Sequence, residues 1–176
     1  MRVVIIGGGI AADYLANRIL EQDASVEVLI LSKEHYVPYD RIHLCDLVSG
    51  EADLQDISLP LNEQVTVKLD HAVTGLDPKN KQVICDKQRY DYDYVVIASG
   101  SLPRTLFDVD DLDNAVTFRS ADDSFKIAQN LDNRDLVIVG AGPIGLELLD
   151  TLMGMPQPKK IYLLVIDSSL YSPDLD

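Results

Sequence analysis

The stretch Val3-Val4-Ile5-Ile6-Gly7-Gly8-Gly9-Ile10-Ala11-Ala12 changes character twice within ten residues: aliphatic, then all glycine, then helix-forming. Four β-branched residues in a row, stopped by glycine, predict a strand buried on both faces, as in a parallel sheet. From Ile10 to Gln22 the sequence predicts a helix, with Tyr14, Leu15, Ile19 and Leu20 on one side. Val26 to Leu31 is again a short aliphatic run, read as a second strand. Strand, glycine turn, helix and strand in about 30 residues make a βαβ unit.

The pattern then returns. Leu136-Val137-Ile138-Val139 reads as a strand, Gly140-Ala141-Gly142-Pro143-Ile144-Gly145 as a glycine turn, and Leu146 to Met153 as a helix broken by Pro156 and Pro158. Ile161 to Ile166 reads as the strand after it. The chain thus holds two similar units, and the repeat is its most informative feature. The expected fold class is α/β, with two Rossmann-like dinucleotide-binding units.

The glycines have a physical use. A dinucleotide carries two anionic phosphates, and a helix N-terminus offers free N–H groups and partial positive charge. In such a turn the first glycine makes the bend, the second lets the backbone approach the phosphates, and the third lets helix and strand pack closely. Gly7, Gly9 and Ala12 fill these places in the first unit, with Ala12 a small substitute. Gly140, Gly142 and Gly145 fill them in the second. Ile10 and Ala11 open the first helix, and Pro143 and Ile144 belong to the second turn. A glycine loop that merely joins strand to helix is the competing account. It is weakened because each turn sits between the right elements and the arrangement occurs twice. An acidic residue after the second strand usually holds the ribose. Asp167 stands there in the second unit and favours NADH over NADPH, because a carboxylate repels a 2′-phosphate. In the first unit Ser32 has that place, and Glu34 is a candidate substitute.

Between the units, His35 to Asp40 is a loop by its proline, and Ile42 to Ser49 is a short helix ended by Gly50. Val65 to Leu69 alternates like a strand. Val73–Leu76 and Gln82–Cys85 flank Asp77-Pro78-Lys79-Asn80, a turn signal, and predict a hairpin. Tyr94 to Ala98 is another aliphatic strand, ending at Ser99-Gly100-Ser101. Asp108 to Asn114 reads as a linker. Ser120 and Asp123 form a capping-box pattern for a helix over Asp122–Leu131.

Composition narrows the function classes. The chain has 176 residues and a net charge of -14, which repels nucleic acid and anionic lipid. Its N-terminus is unlike a signal peptide, and no stretch approaches the roughly 20 apolar residues of a membrane span. A cytoplasmic protein is expected. Cys45 and Cys85 have no CxxC spacing, so neither a metal site nor a redox disulfide is read from them. His35, His43 and His71 show no ligand spacing.

With these residues in view, the chain resembles the flavoproteins with two dinucleotide-binding domains, the pyridine nucleotide-disulfide oxidoreductase superfamily. Within it, the nitrite reductase large subunit and NADH:rubredoxin oxidoreductase families look most similar. The resemblance is carried by Val4 to Ala12, Tyr36-Val37-Pro38-Tyr39-Asp40-Arg41-Ile42-His43-Leu44, Tyr94 to Ser101, Phe118 to Asp123, Gly140 to Glu147 and Ser172 to Asp176. It implies that the first unit binds FAD, with Arg41 near the flavin. It implies that Ala72 and Val73 pass the adenine, and that Ala98, Ser99 and Gly100 close over the cofactor. The second unit would bind NADH, and electrons would pass through FAD to an acceptor protein or domain. The cofactor carries that chemistry, so no catalytic acid or base is named. Disulfide reductases of the superfamily place a reactive cysteine near Ile42; here Cys45 lies beyond it and reads as a small buried residue. A lysine common in ferredoxin reductases is replaced by Asp46.

The expected domains are 1–107, the N-terminal part of an FAD-binding domain, and 108–176, the first part of an NAD(H)-binding domain. Members of these families continue well past Asp176, so a fragment with an incomplete second unit is expected. Its last two strands would form a small open-edged sheet, and residues from about Asp108 onward would be mobile or would pair with another copy, making a homo-oligomer. A nucleotide-binding module without turnover, completed by another chain, is the competing function.

Overall fold

The computed structural model describes residues 1–86, 88–105, 109, 112–156 and 158–165. They group into two compact units: Met1–Asp40 with Ile57–Ser101, and Arg41–Asp56 with the chain from Leu102 on. The sequence suggested a division near residue 107. The grouping of Arg41–Asp56 with the later segment comes from long-range packing that local pattern does not carry. Within the expected linker at Asp108–Asn114, Asp108, Asp110 and Asp111 lie outside the described residues.

In chain order the elements are β1 (Arg2–Ile6), α1 (Ile10–Gln22), β2 (Glu27–Leu31), a 3-10 turn (Arg41–His43), α2 (Leu44–Ser49), β3 (Thr66–Lys68), β4 (Gly75–Asp77) and β5 (Gln82–Cys85). There follow β6 (Gln88–Asp91), β7 (Tyr94–Ile97), α3 (Ala121–Gln129), β8 (Asp135–Val139), α4 (Pro143–Gly154) and β9 (Lys160–Leu164).

The first unit is a parallel sheet in the order β3-β2-β1-β7, with a second, antiparallel sheet β4-β5-β6. Alternate residues of β1 explain its unbroken aliphatic run. Val3 and Ile5 pack with Ala12, Ala16 and Leu20 of α1, together with Val28 and Ile30. Val4 packs on the other face with Leu29, Leu31, Val83 and Cys85 of the second sheet. A strand covered on both sides has no polar face to display. Helix α1 matches its expected bounds, and Leu15, Ile19 and Leu20 pack on the core as expected, but Tyr14 does not. Ala12, Asp13, Ala16 and Leu20 are buried, whereas Tyr14 is 68% exposed. The reason is close approach: the two alanines let the helix lie against the sheet, which turns Tyr14 outward.

The expected hairpin forms, with β4 antiparallel to β5. It starts at Gly75, so Val73 precedes the strand and packs against the core from a loop. Strand β6 was not legible, because Gln88-Arg89-Tyr90-Asp91 has no apolar alternation; it exists by pairing with β5.

In the second unit Leu148 and Leu152 of α4 pack with Ile138 of β8, Leu131, and Cys45 and Val48 of α2. Gly50 ends α2 in the left-handed conformation, φ 76°. The Ser120–Asp123 capping box forms at α3. Helix α4 starts at Pro143, three residues earlier than expected, since proline suits the first helical position. Strands β8 and β9 pair in parallel, Val137 opposite Tyr162 and Val139 opposite Leu164. Those four side chains face away from the core and are each about half exposed. Ile166, the expected end of β9, is outside the described residues. Among the described residues no helix is long and apolar enough to cross a membrane, and no group of three or more His, Cys, Asp or Glu residues stands where it could hold a metal.

Candidate functional site

The two glycine turns have the same geometry. Gly7 has φ +116° and Gly140 φ +109°, values that L side chains rarely adopt. The Gly7 N–H donates to Leu31 O at 2.9 Å, and the Gly140 N–H to Leu164 O, also at 2.9 Å. Each first glycine is thus tied to the last residue of the strand after its helix. Gly9 and Gly142 then cap α1 and α4 without a side-chain hydrogen bond. Asp13 N donates to Gly9 O at 3.2 Å, and Leu146 N to Gly142 O at 3.0 Å. In the first turn Ala12 N also donates to Gly9 O, at 2.9 Å, so the N–H groups that have no carbonyl one turn earlier to bond are those ahead of Ala12.

Space around the turns separates the glycines by role. A Cβ at Gly9 or at Gly142 would meet nothing within 4 Å. Backbone N–H groups beside open space are what a phosphate requires. A Cβ at Gly7 would overlap the Ala98 carbonyl, and one at Gly145 would overlap the Gly140 carbonyl. These two glycines serve close backbone packing. Ala12, at the third position of the first turn, is fully buried against the sheet and is accommodated there. Both turns therefore fit a dinucleotide pyrophosphate.

Around the first turn the structure gathers most of the expected residues. Ala98 N donates to Ile6 O at 2.8 Å, which sets Ala98-Ser99-Gly100 beside Gly7, and Gly100 has φ +71°. His71 N donates to Ser32 O at 2.8 Å, so Ala72 and Val73 leave from the end of β2. Ser32 is buried, with its hydroxyl accepting from Glu34 N at 3.3 Å. Glu34 is half-buried and accepts from the Tyr39 hydroxyl at 2.6 Å. Asp13, in the first turn of α1, is buried; desolvation raises its carboxyl pKa, and a hydrogen bond from Asn17 opposes the rise.

Arg41 belongs to the other unit, where its guanidinium donates to Arg119 O at 2.8 Å. Arg41, Arg119, Phe118, Cys45, Ile144 and Glu147 line a cleft of about 50 Å³. Arg119 and Glu147 were not singled out from the sequence. Nothing local marks them, because the cleft arises where α2, α4 and the segment before α3 meet. Cys45 is buried as expected, and desolvation is the main cause that raises its thiol pKa. Gly140, Gly142, Pro143, Ile144 and Gly145 form the second turn and the start of α4, while Asp167 lies outside the described residues.

Paired strand–glycine turn–helix–strand units of this geometry define a Rossmann-type, dinucleotide-binding α/β protein. Residues 1–174 match the family model described as pyridine nucleotide-disulphide oxidoreductase, and the chain belongs to that family. NADH-rubredoxin oxidoreductase of Clostridium acetobutylicum is 26% identical over 167 residues, covering 91% of this chain and 43% of the relative. The assimilatory nitrate reductase electron transfer subunit of Bacillus subtilis is 30% identical over 157 residues, 83% of this chain and 20% of the relative. The crystal structure of the Clostridium acetobutylicum enzyme shares the fold with a TM-score of 0.78 at 24% identity, over 94% of this chain and 44% of that one. The chain spans less than half the length of each of these proteins.

Proposed function

We propose that this chain is the cofactor-binding portion of an NADH-dependent flavin oxidoreductase, with FAD at the first glycine turn and NADH at the second. The observation that carries the reading is the repeated turn geometry, with a positive-φ glycine, a sterically open second glycine and a helix N-terminus in each copy. Residues 1–107 supply the FAD side and residues 108–176 the start of the NADH side. In the first unit the N–H groups of Gly9, Ile10 and Ala11 hold the pyrophosphate. Glu34 takes the adenosine ribose, Ala72 and Val73 flank the adenine, and Ala98, Ser99 and Gly100 close beside Gly7. In the second unit the start of α4 holds the phosphates of NADH, and Asp167 selects it over NADPH. When bound, the flavin takes a hydride from NADH and passes the electrons on. The names of the relatives support an acceptor protein of the rubredoxin or nitrate-assimilation type.

The test begins with the nucleotide released on denaturing the purified chain, with and without FAD supplied during refolding. FAD is expected; NAD with no flavin, even after FAD is supplied, overturns the assignment. Gly9→Glu is expected to abolish uptake and spare the fold, because the new side chain enters open space where the phosphate belongs. Asp167→Ser is expected to narrow a preference for NADH over NADPH by about 1–2 kcal/mol. Tighter binding of NADPH by the unaltered chain removes Asp167 from the ribose.

A further inference from the structure

We infer that Tyr39 is a positioning residue for nucleotide binding: its buried phenol sets the Glu34 carboxylate to receive the adenosine ribose. The inference rests on the FAD reading above and adds a residue to it.

The end of β2 offers two groups for a ribose, Ser32 and Glu34, and the structure separates their work. Ser32 is 4% exposed. Its hydroxyl accepts from Glu34 N, and its Oγ lies where a Cβ on Gly8 would be 2.7 Å away. Ser32 therefore packs under the glycine turn and shapes the backbone that presents Glu34. Three of the contacts of Glu34 hold it in place. Its N–H bonds Ser32, its carbonyl accepts from Asp70 N at 3.1 Å, and its carboxylate accepts from Tyr39 at 2.6 Å.

Tyr39 is itself immobilised. It is 2% exposed. Its strand-like segment bridges Ser58, with Leu59 N donating to Pro38 O and Asp40 N to Ile57 O, both at 2.9 Å. Tyr36 packs edge-on to its ring at 6.5 Å. A glutamate has three side-chain torsions to freeze before it can accept from a ribose diol. A fixed phenol that donates to one carboxylate oxygen freezes them in advance. A carboxylate offers about four lone-pair directions, so the phenol's bond does not by itself exhaust its acceptor capacity.

The test is a double-mutant cycle read in FAD affinity by titration of the full chain. Tyr39→Phe removes the hydroxyl and keeps the ring, and is expected to weaken FAD about tenfold, the scale of a hydrogen bond to a charged group. Glu34→Gln is expected to weaken it at least as much. In the Glu34→Gln chain, Tyr39→Phe is expected to add little, because the phenol acts through the carboxylate. Equal, additive losses in both backgrounds would make Tyr39 a structural residue and overturn the inference. So would an undiminished affinity in Tyr39→Phe. If Tyr39→Phe does not fold, Glu34→Asp decides the matter. It keeps the charge but draws the acid back from the phenol, and must cost about tenfold as well. Failure of the unaltered chain to take up FAD overturns the flavin reading together with this inference, whereas uptake indifferent to Tyr39 overturns this inference alone.

Discussion

Two glycines in one helix should answer the same substitution with opposite signs. Gly145 and Gly154 both lie in α4. Exchange of glycine for alanine inside a helix gains up to about 1 kcal/mol from reduced backbone freedom in the unfolded chain. At Gly154 the new methyl meets nothing within 4 Å. Being the last helical residue, it should yield part of that gain, a few tenths of a kcal/mol upward. At Gly145 the methyl would overlap the Gly140 carbonyl, and Ile138 Cγ2 lies 3.6 Å off. Gly140 is tied through its N–H to Leu164 O at 2.9 Å, so that residue moves only if the turn moves. Overpacking of this kind costs about 1–3 kcal/mol, which exceeds the propensity gain. Gly145→Ala should therefore lose about 1–2 kcal/mol net, and the two variants should differ by about 2 kcal/mol. Urea titration of the parent and both variants reads this directly as midpoints at constant slope. The reasoning is refuted if Gly145→Ala proves as stable as Gly154→Ala, since the third glycine would then have no packing role.

The remaining predictions concern single groups. Burial raises the Asp13 carboxyl pKa, so the folded chain holds that proton more tightly than the unfolded one. Stability from this group is complete below the ordinary carboxylate value of 3.8 and is lost as pH rises through the raised folded value. Asp13→Asn keeps an acceptor for Asn17 and should gain on the parent as pH rises above the ordinary carboxylate value of 3.8; a pH-independent difference in urea midpoint contradicts this. Ser120→Ala removes the hydroxyl that accepts from Asp123 N at 3.3 Å and should cost about 1 kcal/mol in thermal or urea unfolding. Cys45 and Cys85 are buried with pKa values raised first by desolvation, so a thiol reagent at about pH 8 should label neither before unfolding. Rapid labelling of the native chain would show that one of them is accessible.

Sequence legibility followed how local each determinant is. Strand β1 and helix α1 were readable because glycine stops, β-branching and helical spacing act within a few residues. The capping box at Ser120 and the hairpin turn after Asp77 are local for the same reason. Strand β6 was not, because its residues acquire strand geometry only from the partner β5. The outward turn of Tyr14 was also hidden, since only the sheet beneath α1 makes Ala12 and Ala16 the contacting residues. For the candidate sites, the glycine turns could be placed residue by residue from the pattern. The tie between Tyr39 and Glu34 could not, since a hydroxyl and a carboxylate five positions apart in a loop meet only once the segment is pinned at Ser58. The neighbourhood of Arg41 and Arg119 likewise depends on residues 78 positions apart coming together.

Gly8 occupies the position of the first turn that phosphate chemistry leaves unconstrained, yet its surroundings do not. A Cβ there would stand 2.7 Å from Ser32 Oγ and 2.9 Å from Ser32 Cβ. The two positions share one small volume, and that sharing sets an order on mutational history. A larger residue at position 8 can be accepted only in a chain where position 32 has already shrunk, and a larger residue at 32 only while 8 remains glycine. A lineage moving between a serine and an acidic residue at the end of β2 must therefore pass through chains that keep Gly8, and a stray alanine there closes the route.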